Sequence, residues 1–273
     1  MNSTVRLILK SFLPCVLSLQ AIAADNPIMW MPYDESTDLA TLATHENDSM
    51  HYRLLNSKVL DKNSFWDPYS SELDGFGVEN YEALKPLILD RPISSIQNAV
   101  AAGLLTYEAL TTFYIYRIRE IESDDSRFIN AVIELSPSAI NRARLLDELR
   151  RQGRAVPADS IFGIPVLLKD NIGVAGMATS AGAIALQNNY TSNAFVTERL
   201  LEKGAVILGK ANLSEWAYFF CNDCPSGYSA MGGQTLNPYG RFQFGTGGSS
   251  SGSGAATAAN YATVAIGSET SGS

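Results

Sequence analysis

The residues whose types and spacing could do chemistry lie in Gly245 to Ser273, GTGGSSSGSGAATAANYATVAIGSETSGS. A serine-dense glycine loop, Gly247 to Gly252, enters an alanine-rich segment of helical character, then a short apolar strand from Thr263 to Ile266, then a second small-residue loop ending on Ser273. Glycine lets backbone N–H groups approach a ligand closely, so two such loops joined by one helix and one strand read as a reaction centre. A flexible linker is the competing reading, but Ala255, Ala256, Ala258, Ala259 and Val264-Ala265-Ile266 are buried-element residues that a linker lacks. A serine nucleophile needs a base. The only histidines, His45 and His51, sit in a polar stretch remote from these loops in sequence. Lys169 is the alternative: it ends the apolar run Ile164-Pro165-Val166-Leu167-Leu168, where burial would lower its pKa toward neutrality.

These residues together resemble the amidase signature family, serine hydrolases with a Ser-cisSer-Lys triad. Lys169 in GIPVLLKDN, Ser249 in GGSSSGS and Ser273 in GSETSGS stand in the family's order, 80 and 24 residues apart. The resemblance implies Ser273 as nucleophile, Ser249 on a cis peptide after Gly248 as proton relay, and neutral Lys169 as ultimate base. Backbone N–H groups of Thr270, Ser271, Gly272 and Ser273 would hold the oxyanion, and Ser250 would support the lysine by hydrogen bonding. It implies no cofactor or metal, an amide substrate, small or peptidic, and cleavage of a C–N bond. ATSAGAIALQ, KANLSEWA and GGQTLNPY look closest to secreted or periplasmic peptide amidases, which hydrolyse C-terminal carboxamides. The chain departs from the family pattern at Ser251-Gly252 and at Ser271. It also stops at the serine read as nucleophile, so the expectation is a fragment of the family domain, inactive by itself.

The elements that must position these groups follow from the rest of the chain. Residues 1–24 read as a secretory signal, with Arg6 and Lys10, an apolar run from Phe12 to Leu19 and the Ala21-Ile22-Ala23 cleavage pattern, so a periplasmic or secreted location follows. No other stretch resembles a membrane segment. With 273 residues, 46% of them apolar, the chain can bury a sizeable core, and its net charge of −8 argues against nucleic-acid binding. Cys221 and Cys224 suit a local disulfide better than zinc, for which two further ligands are lacking near by.

Residues 25–92 read as a loop-rich lead-in and 93–273 as the start of the family domain. Capping-box spacing at Ser94 and Gln97 opens a short helix that Gly103 stops. A longer amphipathic helix runs from Thr106 to Ile121, and a third starts with Ser136 as N-cap and Pro137 at the first position. Strands at 164–169 and 204–209 then alternate with helices at 193–203 and 213–220. The fold class is α/β, the resemblance specifying a mixed central sheet flanked by helices.

Three rival readings stand beside this one. Gly248 to Gly252 spells G-x-S-x-G, with Ser250 as an α/β-hydrolase nucleophile, yet a strong strand before it and a histidine after it are missing. The subunit that transamidates glutamate on transfer RNA shares the signature, but residues 1–24 argue for export. A non-enzymatic binding protein on the same scaffold would be expected to lack Lys169. Gly204 to Lys210 spells GxxxxGK by accident, since Ala205 to Leu208 read as strand.

Overall fold

The computed structural model describes residues 28–219 and 224–269. The signal-like 1–24, Cys221 and the oxyanion and nucleophile candidates Thr270, Ser271, Gly272 and Ser273 lie outside the described residues. In chain order the elements are helices α1 (Ser36–Leu42), α2 (Asn63–Trp66), α3 (Ser70–Ile88), α4 (Ile93–Ala101) and α5 (Tyr107–Glu122). Strand β1 (Val132–Leu135), α6 (Ala139–Arg151), β2 (Pro165–Lys169), α7 (Phe195–Glu202) and β3 (Val206–Ala211) follow. A small hairpin β4 (Tyr228–Ser229) and β5 (Gly233–Gln234), then α8 (Ser251–Ala258) and β6 (Val264–Ile266), complete the described chain.

The central sheet has the order β1-β3-β2-β6, with β2 parallel to both neighbours and β1 antiparallel to β3. Every residue of β2 and β3 is buried, as their continuous apolar runs require of parallel strands covered on both faces. Period-2 alternation divides them between two cores. Leu167 and Leu208 face a large core with Phe113, Tyr114, Ala256 and Tyr261, whereas Val166, Leu168 and Ile207 face a smaller one with Ile172, Val174 and Met177. The α/β class with a mixed sheet and flanking helices is therefore what the chain builds.

Several local expectations are corrected. The lead-in is not loop-rich throughout, because α3 fills 70–88, broken at Gly77 where φ is 63°. Its Tyr81 stacks on Phe113 at 4.8 Å, and Tyr52, Trp66 and Tyr69 are buried in the main core. Lys62 anchors the same segment: its Nζ lies 2.5 Å from Glu122 Oε2 and 2.7 Å from Asn130 Oδ1, and Tyr261 donates to Glu122. Gln97 forms no capping box. It donates to the carbonyls of Ser160 and Phe162 and accepts from the Tyr107 hydroxyl. The third helix starts at Ala139 rather than Pro137, with the Ser136 carbonyl accepting from Ala139 N. Residues 213–219 form no α-helix: a single 3-10 turn covers Glu215–Tyr218, and Trp216, Ala217 and Tyr218 take left-handed φ of 51°, 52° and 68°.

Candidate active site

Lys169 is the last residue of β2, the strand between β3 and β6, and is fully buried. Its aliphatic stem fits an apolar sheet end, but its amine pays for leaving water. Burial pushes its pKa down to about 8. Nζ donates to Ser249 Oγ at 2.6 Å and to the Ser268 carbonyl at 3.2 Å. Asp170, the next residue, points to the other side of the strand. There it takes hydrogen bonds from Ser180 and Gly182 N and lies 3.3 Å from the buried Lys210 ammonium. The carboxylate beside Lys169 in sequence is thus engaged elsewhere.

Ser249 is also fully buried and follows a cis peptide from Gly248. Its carbonyl accepts from Ser214 N at 3.0 Å, and Gly248 fits because a Cβ there would lie 2.5 Å from Ser214 Oγ and 2.7 Å from Ser226 Oγ. Immediately afterwards α8 begins, and Gly252 packs it flush on the turn after β3, donating to the Asn212 carbonyl at 3.0 Å. The helix returns the chain to β6, which pairs in parallel register with β2, Leu168 opposite Ile266. Consequently the backbone leaves β6 beside Lys169, where Ser268 meets both Lys169 and Asn171 Nδ2, the latter donating to Ser268 Oγ at 2.9 Å.

The structure brings together Lys169 and Ser249, which are 80 residues apart in sequence. Ser250 does not touch the lysine. Its hydroxyl donates to the same Ser268 carbonyl at 3.0 Å and accepts from Ser268 N, so it acts on Lys169 only through a shared acceptor. The elbow reading of Ser250 fails locally, since residues 241–248 contain no strand. The sequence reading passed over Ser268 and Asn171. Asn171 had a signal, standing two residues after the lysine at a strand end, but Ser268 contributes a carbonyl that side-chain type cannot reveal. Cys224 is disulfide-bonded, and the other cysteines, Cys15 and Cys221, lie outside the described residues. Among the described residues no group of three His, Cys, Asp or Glu side chains is placed to hold a metal, and no helix is long and apolar enough to cross a membrane.

A buried amine with a pKa near neutrality against a serine hydroxyl, at a strand end lined by glycine and serine loops, is an arrangement for moving a proton. Residues 109–273 match the Amidase family. The chain belongs to the amidase family. A probable amidase of Arabidopsis thaliana is 39% identical over 188 residues, covering 68% of this chain and 36% of that protein. A glutamyl-tRNA(Gln) amidotransferase subunit from Caldanaerobacter subterraneus is 38% identical over 168 residues, covering 61% of this chain and 32% of its relative. The crystal structure of the native peptide amidase from Stenotrophomonas maltophilia superposes with a TM-score of 0.63 at 49% identity, over 66% of this chain and 36% of that one. The chain therefore spans about a third of the length of the curated relatives it matches.

Proposed function

We propose that this amidase-family protein hydrolyses carboxamides by a Ser273–Ser249–Lys169 relay. The observation that carries the reading is the 2.6 Å contact between a fully buried lysine, its pKa lowered to about 8, and the hydroxyl of Ser249. In the proposed step Ser273 Oγ bonds to the amide carbon, its proton passes to Ser249 Oγ, and the Ser249 proton passes to neutral Lys169 Nζ. The relay then runs in reverse to protonate the nitrogen as the C–N bond breaks, and water releases the acid from the serine ester. Backbone N–H groups of Thr270, Ser271, Gly272 and Ser273 stabilise the oxyanion. A lysine base suits a leaving group that is itself a basic amine.

The likeness to a peptide amidase supports C-terminal peptide amides among the substrates. The signal pattern in residues 1–24 supports a periplasmic or secreted protein, and hydrolysis over transfer to a cytoplasmic transfer RNA. The test is labelling of the full-length protein by a fluorophosphonate, together with ammonia release from amidated peptides, in Ser249→Ala, Ser250→Ala and Ser273→Ala variants. Labelling lost with Ser273 alone and turnover lost with Ser249 or Ser273 is the expected result; labelling lost only with Ser250 refutes the relay.

A further inference from the structure

Parallel strands β2 and β3 end side by side, Lys169 opposite Ala211, and the segments that follow them diverge, the place where open α/β sheets hold ligands. Between those segments lies a cavity of about 490 Å3. Ala181 and Leu186 wall it from the β2 side and Leu213 and Trp216 from the β3 side, with Asn171 and Asn189 among its polar groups and no charged side chain among the described residues of its lining. Two bonds tie it to the reaction centre. Asn171 donates to Ser268, whose carbonyl accepts from Lys169, and Ser214, next to Leu213, donates its N–H to the Ser249 carbonyl.

The β3-side wall is built on an unusual backbone. Trp216, Ala217 and Tyr218 are all left-handed, a conformation that side chains with a Cβ rarely adopt singly and still more rarely in succession. Trp216 N donates to the Ala181 carbonyl at 3.0 Å, and Ala217 N to the Ser214 carbonyl at 2.9 Å, which hold the turn across the cavity. Trp216 lines both this cavity and a neighbouring one of about 320 Å3, whose lining also includes Glu215, Tyr218 and Tyr228. Strained backbone of this kind gathers where a site requires it. Two other cavities, of about 590 and 540 Å3, carry Glu72, Glu108 and Arg144 or Arg142 and Glu202, and share no residue with the hydrogen bonds around Lys169 and Ser249.

We infer that the preferred substrates are carboxamides whose acyl portion bears an apolar side group of leucine or phenylalanine size, seated against Leu186, Leu213 and Trp216. The inference rests on the hydrolytic reading above. Ammonia as leaving group needs almost no room, so the body of the substrate is its acyl portion, and an apolar wall without a counter-charge rejects a carboxylate there.

The experiment measures ammonia release by the full-length protein from N-acetylated leucine, phenylalanine, alanine and aspartate α-amides. Leucine and phenylalanine amides should exceed alanine amide about 10-fold in kcat/KM and aspartate amide by more. Trp216→Gly suits the left-handed backbone and strips an apolar side chain from the lining, so the leucine-to-alanine ratio should fall about 10-fold, chiefly through KM. Leu186→Asp places a charge on the opposite wall and should depress leucine amide more than alanine amide, which keeps the test decisive if the first variant does not fold. No turnover of any amide by the wild type overturns the hydrolytic reading and this inference with it. Turnover without an apolar preference, or a preference that survives both substitutions, overturns the cavity assignment and leaves hydrolysis standing.

Discussion

Changing the protonation of Lys169 is the sharpest perturbation of the proposed relay. Burial takes its pKa from 10.5 to about 8. At pH 7 that raises the neutral fraction from roughly 1 in 3000 to about 1 in 10. The kcat/KM for a primary carboxamide should accordingly climb with pH, about tenfold per unit below the midpoint, and level off above pH ~8. Lys169→Met removes the base and should cost roughly 10²–10⁴ in turnover, while Lys169→Arg, always charged, should fare no better. Stability also rises with pH, in a higher window. The folded pKa lies below the unfolded one, so the unfolded chain binds more protons between pH 8 and 10.5, and the native state gains stability as pH rises through that window. Below it the buried amine is a burden, and Lys169→Met should stabilise the protein by ~1–3 kcal/mol at pH 7, an advantage that fades toward pH 10.5. The assays are ammonia release and urea unfolding across pH. An activity limb centred near pH 6.5, the range of a histidine, or a Lys169→Met protein with wild-type turnover refutes the reasoning.

Further outcomes follow from other contacts. Lys62→Met leaves the Glu122 carboxylate buried without its ammonium and should lower unfolding free energy by ~3–5 kcal/mol, read by urea denaturation. Gly252→Ala puts a Cβ 2.3 Å from the Asn212 carbonyl oxygen and 2.6 Å from that of Ala131, both backbone, so α8 must shift. Stability should fall by at least ~1–3 kcal/mol, and turnover should fall with it as Ser249 leaves the lysine. Burial pushes Glu134 up to about 7 although Lys210 faces it and pulls the other way. Its folded form retains the proton more tightly than the unfolded chain, so its stabilising contribution is fullest below pH 4.5 and is lost as pH rises through 7. Glu134→Gln should flatten the decline in melting temperature over that window.

What was legible in the sequence was whatever residue type alone decides. A lysine closing an apolar run must be buried or snorkel, and a glycine-serine loop before alanines must be a tight turn into a packed helix. Lys169, the strands read at 164–169 and 204–209 and found at Pro165–Lys169 and Val206–Ala211, and the helix after Ser250 all belong to this class. The parallel core strands read as unbroken apolar runs because both faces are covered. Strand β1 did not, since Glu134 interrupts its four residues; the half-buried carboxyl is met by Lys210 across the ladder and by the backbone of Ala178. Helix α3 hid behind Gly75, Gly77 and Pro86, all residues that ordinarily end helices, and Gly77 does break it; Phe76 and Tyr81 hold it by packing on Tyr116 and Phe113.

The remaining misses share one cause, a local preference overruled by a partner far along the chain. Gln97 had the spacing of a capping box, yet two carbonyls more than sixty residues away and the Tyr107 hydroxyl use its amide fully. Residues 213–219 had the composition of a helix, but the Ala181 carbonyl takes Trp216 N and the turn is wound left-handed instead. That override is where the fold and the proposed chemistry meet. The β2-side loop is itself held by Asp170, which Lys210 and the Ser180 and Gly182 donors occupy. One aspartate therefore does two things: it turns away from Lys169, whose amine is then depressed by burial alone, and it fixes the loop whose carbonyl bends the tryptophan wall into place. The charge arrangement that leaves burial free to lower the pKa of the base and the geometry that shapes the adjoining cavity are thus consequences of the same buried ion pair.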